Sequence, residues 1–224
     1  MEIIEKAIRE GRTLLSEYES KQVLAAYRIP VTREVLIERR KDLPQAVHEI
    51  GYPLVLKGCS PDIAHKTEKG LIRMDIREDE EAFDAFDDIM AKIQGTKKNF
   101  LVQEMVQGKR ELMIGLTRDV QFGPCVMFGL GGIFTEILRD VSMRLAPLNK
   151  RDGLEMMSEI KGYRILEPIR GMEGADLAQL SDILIQMGRI GLENDLIKEI
   201  DINPLILAGS RAVAVDALVV LEGK

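Results

Sequence analysis

The sequence predicts an α/β (α+β) chain in two lobes, a small α/β lobe over residues 1–95 with leading helices and a larger lobe over 96–224 on a mainly antiparallel sheet. Three patterns predict this. Helix and strand signals alternate as far as Gly95. Strand signals then follow one another closely, at 100–105, 111–117, 124–128 and 133–138. After helices at about 151–160 and 175–192, two last strands at 196–207 and 212–221 flank the turn pair Gly209-Ser210.

Ser16-Glu17-Tyr18-Glu19 has the spacing of a capping box, opening a helix that runs to about Tyr27 before Pro30 closes it. Val35-Leu36-Ile37 reads as a short strand, 43–50 as a helix, and Pro53-Leu54-Val55-Leu56-Lys57 as an apolar strand ending on a charge. Ile72, Met74 and Ile76 alternate with Arg73 and Asp75, the period of a half-buried strand, whereas Phe83, Phe86, Ile89, Met90 and Ile93 recur at helical spacing. Two such lobes are expected to hold a ligand cleft between them.

Composition narrows the function. A net charge of -6 argues against a general grip on nucleic acid or an anionic membrane, and leaves room for a local basic pocket and a small phosphorylated ligand. Two cysteines, Cys59 and Cys125, are too few for a disulfide framework. With no leader or apolar span visible, a cytoplasmic protein is expected.

The chemistry starts at the last hairpin. Counting outward from Gly209-Ser210 sets Asn203 opposite Asp216, where Cβ atoms lie about 5 Å apart. The two-residue period adds Glu199 and Asp201 to that face, with small Ala212 and Ala214 beside Asp216. Such an oxygen set suits magnesium, which takes one or two carboxylates and completes its octahedron with phosphate and water. The same residues also suit a solvated hairpin, and Pro204 is placed to bend the strand.

Other residues carry similar pairs of readings. Lys57 either points its ammonium at a phosphate oxygen or snorkels to water. Glu104 interrupts an apolar run before Gly108, where backbone groups face a purine edge and Met105 its ring, while Glu111 accepts from ribose hydroxyls; both glutamates equally suit an edge strand. Gly129-Leu130-Gly131-Gly132 is either a phosphate approach or a tight turn, and matches no P-loop or dinucleotide fingerprint. Arg144 either neutralises transferred phosphate or makes a structural ion pair. His65, in the segment after Lys57, is either a phosphoryl relay or a polar loop residue.

Taken in order, Leu15-Ser16-Glu17-Tyr18-Glu19-Ser20-Lys21, Tyr52-Pro53-Leu54-Val55-Leu56-Lys57, Ser60-Pro61-Asp62-Ile63-Ala64-His65-Lys66 and Val102-Gln103-Glu104-Met105-Val106 form a combined signature. It continues through Gln121-Phe122-Gly123-Pro124, Met127-Phe128-Gly129-Leu130-Gly131-Gly132, Arg144-Leu145-Ala146-Pro147-Leu148 and Glu199-Ile200-Asp201-Ile202-Asn203-Pro204-Leu205. Together these segments resemble the ATP-grasp (beta) subunits of NDP-forming acyl-CoA synthetases, ADP-forming acetate–CoA ligase among them, and more distantly those of succinyl-CoA synthetase.

The resemblance implies an ATP-grasp fold with the nucleotide held between two lobes. It implies Lys57 on the phosphates, Glu104 with the neighbouring backbone of Met105 and Val106 at adenine, and Glu111 at ribose; Gly131 and Gly132 keep the phosphate approach read from the residues. It also implies Mg2+ on Asn203 and Asp216 with Asp201 in support, and His65 relaying a phosphoryl group to ADP to make ATP; Arg144 keeps its candidate role of neutralising transferred phosphate. A CoA-binding alpha subunit, in a heterotetramer, is the implied partner and handles acyl-CoA and acid. Leu71 stands where the family commonly carries a second glycine after the His-Lys pair. A free-standing carboxylate–amine ligase and a non-enzymatic nucleotide-binding subunit are the competing readings.

Overall fold

The computed structural model describes residues 1–59, 70–93, 98–132 and 140–223. Its elements, in chain order, are α1 (Glu2–Arg9), α2 (Glu17–Ala26), β1 (Glu34–Ile37), α3 (Leu43–Ile50), β2 (Leu54–Cys59), β3 (Ile72–Ile76), α4 (Asp79–Lys92) and β4 (Asn99–Glu104). They continue with β5 (Glu111–Asp119), β6 (Gly123–Leu130), β7 (Val141–Leu145), α5 (Lys150–Glu159), α6 (Leu177–Glu193), β8 (Ile197–Ala208), β9 (Arg211–Ala214) and β10 (Ala217–Leu221). Residues 133–138, read as a strand, and His65 lie outside the described residues. Among the described residues no helix is long and apolar enough to cross a membrane.

The chain divides into two compact units at places other than residue 95. One comprises Ser16–Tyr18 and Thr32–Met105; the other comprises Met1–Leu15, Glu19–Val31 and Val106–Lys224. The reason is pairing: β4, expected to open the second lobe, is hydrogen-bonded on both sides, to β1 and β2. The leading helices contribute Ile4, Ala7, Val23 and Leu24 to the core of the larger unit instead.

In the smaller unit the sheet order is β1-β4-β2-β3, antiparallel throughout. Leu54, Leu56, Phe100 and Val102 pack with Leu43 and Val47 of α3 and with Phe86 and Ile89 of α4, and the Phe86 and Phe100 rings stack 4.1 Å apart. The period of two turns Lys57 to the face away from this core. The expected alternation of β3 breaks down: Met74 is 71% exposed, because Asp75 takes a φ of 58° and the register with β2 shifts between Leu54 and Leu56.

In the larger unit the order is β10-β8-β5-β6-β7, with β9 also on β8. α5 and α6 cover one face, where Met156, Met157, Leu180, Leu184 and Met187 meet Ile114, Leu116, Val126, Phe128, Ile200 and Ile202. The other face carries Glu199 and Asp201. β7, absent from the sequence expectation, is inverted in polarity. Its apolar Val141, Met143 and Leu145 are exposed, while Ser142 is buried and donates to the Met156 carbonyl at 2.8 Å.

Arg110 ties this unit's irregular segments together. Almost fully buried, it donates to the carbonyls of Ile165 (3.1 Å), Glu167 (3.4 Å), Glu173 (2.6 Å) and Gly209 (2.8 Å). Arg110→Met strands those acceptors and is expected to cost about 3 kcal/mol, roughly 6–12 °C in melting temperature for a chain of this size. Thermal unfolding followed by circular dichroism checks this, and an unshifted midpoint contradicts it.

Candidate functional site

The register of the last hairpin is the one the turn predicts. Gly209 has a φ of 63°, and Leu205, Ile206, Leu207 and Ala208 face Ala214, Val213, Ala212 and Arg211. Beyond a gap in the ladder, Ile202, Asp201, Ile200 and Glu199 face Ala217, Leu218, Val219 and Val220 in the same frame. Asn203 and Asp216 therefore sit at one level, and in the gap the Val215 N–H donates to the Pro204 carbonyl at 3.1 Å.

One expectation about this face is corrected. Ala212 and Ala214 do not flank Asp216; both are fully buried in the core. On β8 the core-facing residues are Ile200 and Ile202, then Leu205 and Leu207; on the paired strands they are Ala212 and Ala214, then Ala217 and Val219. Both strands change parity at the same level, beside Pro204, which has no N–H to give the ladder. The gap thus turns Asp216 out of the β9 series without costing the register.

Burial first, and then the charges of Glu199 and Asp216, push the Asp201 carboxyl up to about 6. The strand period puts Glu199 and Asp201 on the face away from the core, and Asp216 lies level with Asn203. The Asn203 Oδ1 accepts the Gly132 N–H at 3.0 Å, and the Asp216 Oδ1 accepts the Ala217 N–H at 2.8 Å. Gly132 has a φ of 61°, and Gly131 donates to the Glu111 carbonyl at 2.9 Å. A Cβ on Gly131 lies 2.4 Å from the Leu112 carbonyl oxygen, and one on Gly132 lies 2.0 Å from the Glu111 Oε2. Only glycines let this turn lie against the start of β5, and it brings Glu111, Gly131, Gly132 and Asn203 together.

Lys57, Glu104 and Met105 belong to the smaller unit, and Arg144 to the helix-covered face of the larger unit's sheet. Lys57 is buried, its Nζ 2.7 Å from the Glu17 Oε1, a partner 40 positions away that no local sequence pattern signals. The Glu104 carboxylate takes both the backbone N–H (2.8 Å) and the Nε (2.9 Å) of Arg33. The backbone N–H groups of Glu104 and Met105 donate to the carbonyls of Arg33 (3.0 Å) and Pro53 (3.3 Å), so neither is spare for a purine edge. Val106 begins the larger unit's long segment.

Arg144 stands opposite core-facing Val126 and donates through Nη1 to the Glu159 Oε2 of α5 at 2.9 Å and through Nη2 to Oε1. Of its two readings the structural ion pair is what is seen, on the sheet face away from Asp201. Leu71 is 2% exposed in the smaller unit's core, and its carbonyl accepts the Gly58 N–H at 2.8 Å, which accounts for an apolar side chain there.

The model of the ATP-grasp domain matches residues 6–221. The chain belongs to the ATP-grasp family. It is closely related to ADP-forming acetate–CoA ligase beta subunits. It is 45% identical to the acetate–CoA ligase [ADP-forming] I subunit beta of Pyrococcus furiosus, over 98% of this chain and 97% of that one. Two solved structures of acetyl-coenzyme A synthetase 1 from Ca. Korarchaeum cryptofilum each cover 99% of both chains. One, with coenzyme A, Ca-AMPCP and HgCl+, is 41% identical with a TM-score of 0.95. The other, with coenzyme A and Mg-AMPPCP and a phosphohistidine segment pointing towards its nucleotide binding site, is 42% identical with a TM-score of 0.88.

The acidic face offers oxygen donors that could hold a divalent cation only as part of a shared coordination sphere. Among the described residues no three His, Cys, Asp or Glu side chains enclose an ion by themselves. A magnesium ion held by the Asn203 amide oxygen and the carboxylates of Asp216 and Asp201 would have its remaining positions left to phosphate and water.

Burial of the Asp201 carboxyl, and then its repulsion by Glu199 and Asp216, has a measurable cost. Asp201 has its folded pKa raised from 3.8 to about 6, so the folded chain holds a proton that the unfolded chain releases. Stability therefore falls as pH rises from about 4 to about 6, and stays lower above that. In metal-free buffer Asp201→Asn is expected to gain about 1–3 kcal/mol at pH 7 and nothing near pH 4. Melting curves against pH for the two proteins test it, and parallel curves contradict it.

Proposed function

We propose that the chain is the nucleotide-binding subunit of an ADP-forming acyl-CoA synthetase, catalysing acyl-CoA + ADP + phosphate ⇌ acid + CoA + ATP with a CoA-binding partner subunit. One observation carries the reading: Asn203, Asp201, Asp216 and the Gly132 amide converge at one gap in the sheet, in a chain whose length matches ADP-forming ligase beta subunits almost end to end.

In this reading Asn203 and Asp216 hold magnesium with Asp201 in support, and the ion supplies positive charge to the phosphate oxygens. Lys57 brings a fixed ammonium to the nucleotide phosphates, oriented by Glu17 at 2.7 Å. Glu111 accepts from the ribose, and the Gly131-Gly132 turn brings backbone to the phosphates. Met105 and Val106 line the base, with Glu104 bracing that segment through Arg33. His65 carries the phosphoryl group: its N–P bond breaks as a β-phosphate oxygen of ADP forms the new O–P bond, and the imidazole is regenerated. Little covalent chemistry is left to the other residues, so positioning and charge neutralisation supply most of the rate.

The relatives' designation as beta subunits supports a separate partner; in the proposed reading acid and CoA recognition belong to that partner, and the two chains assemble as a heterotetramer. The test is to purify the chain with its CoA-binding partner and measure ATP formation from ADP and phosphate with a panel of acyl-CoA thioesters. ATP formation that requires both chains and one of the thioesters is expected. ATP consumption that requires an acid and an amine without CoA overturns the reading.

A further inference from the structure

Among the described residues Lys21 is the largest of the fully buried side chains, with 0% exposure. Taking an ammonium wholly out of water is costly, and a glutamine or leucine would fill a helix–sheet contact more cheaply. Its Nζ donates to the Val215 carbonyl at 3.2 Å. Val215 is the residue at which the strand leaves the β8 ladder, immediately before Asp216. Its own N–H donates to the Pro204 carbonyl at 3.1 Å, so it is tied on one side to the residue after Asn203 and on the other to Lys21. The neighbouring Ser20 Oγ accepts the Val219 N–H at 3.1 Å, securing β10 further along. α2 thus grips this strand at two points, one beside Asp216 and one three residues beyond it.

We propose that Lys21 is a positioning residue for the divalent-cation site: by holding the Val215 carbonyl it fixes the gap from which Asp216 projects at the level of Asn203. This rests on the reading of Asp216 as a metal ligand. The alternative role for a buried cation near carboxylates is charge compensation, and the two roles differ in sign. If Lys21 only offsets negative charge, removing it relieves repulsion of the incoming cation and tightens metal binding. If it positions Asp216, removing it weakens metal binding.

The test uses the full-length chain with saturating ADP and Mn2+ as probe, reading free Mn2+ by electron paramagnetic resonance, with melting temperatures taken separately in chelator. Lys21→Met is expected to weaken Mn2+ binding roughly tenfold or more. Ser20→Ala, which removes the other grip of the same helix, is expected to lower the melting temperature while leaving Mn2+ binding within about twofold. Should Lys21→Met fail to fold, Lys21→Gln takes its place, with a weakening of about threefold or more expected. Unchanged or tighter Mn2+ binding in the Lys21 variant, while Asp216→Ala weakens it, overturns the inference and leaves the metal reading intact. Unchanged binding in Asp216→Ala overturns the metal reading and this inference with it.

Discussion

Asp216→Ala is expected to lower magnesium-dependent ATP formation by roughly 100- to 1,000-fold, the several kcal/mol that a correctly held cation contributes to phosphoryl transfer. The fold should survive the change. Asp216 sits in a gap of the ladder, its flanks are secured by the Val215–Pro204 bond and by the pairing of Ala217 with Ile202, and it adds repulsion to Asp201. It also accepts the Ala217 N–H at 2.8 Å, so a melting temperature within about 4 °C of the parent protein's is expected beside the lost rate. Assays at increasing Mg2+ separate weak binding from lost chemistry. If the variant recovers full rate at high Mg2+, Asp216 contributes affinity alone; an unchanged rate at all Mg2+ concentrations contradicts the assignment.

Gly131→Ala is expected to damage fold and activity together. The added Cβ lies 2.4 Å from the Leu112 carbonyl oxygen and 2.6 Å from its carbon, backbone atoms that cannot rotate aside. Relief requires the turn to lift from β5, at a cost of about 2–3 kcal/mol. The lift also withdraws the Gly132 N–H from the Asn203 Oδ1, and misplacement on the scale of 1 Å costs roughly 100-fold in rate. Gly132→Ala is the informative companion. Its Cβ meets only the Oε2 end of Glu111, a flexible side chain, so its cost comes mainly from a φ of 61°. A Gly131→Ala protein with normal melting temperature and normal rate contradicts this account of the turn.

The parts of the site legible in the sequence are those set by local rules. Gly209-Ser210 specifies a hairpin, a hairpin specifies its register, and the register puts Asn203 level with Asp216. The parity change was not legible, although Pro204 hinted at it, because it needs both strands to slip phase together and leaves the register untouched. β7 escaped for a related reason. Its alternation is that of a strand, but Val141, Met143 and Leu145 point outward and Ser142 and Arg144 inward, the reverse of the pattern that identifies a buried face. Arg144 was singled out because it lies between two apolar residues, and that position puts it against Glu159 of α5.

Partners far apart in sequence were the other blind spot. Glu17 is 40 positions from Lys57, and Arg33 is 71 from Glu104. No local pattern links either pair, yet each decides what its partner is free to do. The division of the chain into units depends on distant pairing in the same way. A strand signal at 100–105 says that β4 exists, not that it inserts between β1 and β2.

The most direct test of the chain as a phosphoryl-transfer subunit is the covalent state of His65. Incubation with γ-labelled ATP and Mg2+ is predicted to give acid-labile, base-stable label on the chain, discharged to ATP by added ADP, absent from His65→Ala and strongly reduced in Asp216→Ala. Label that persists in His65→Ala, or a parent protein that takes up none while turning over with its partner, contradicts it.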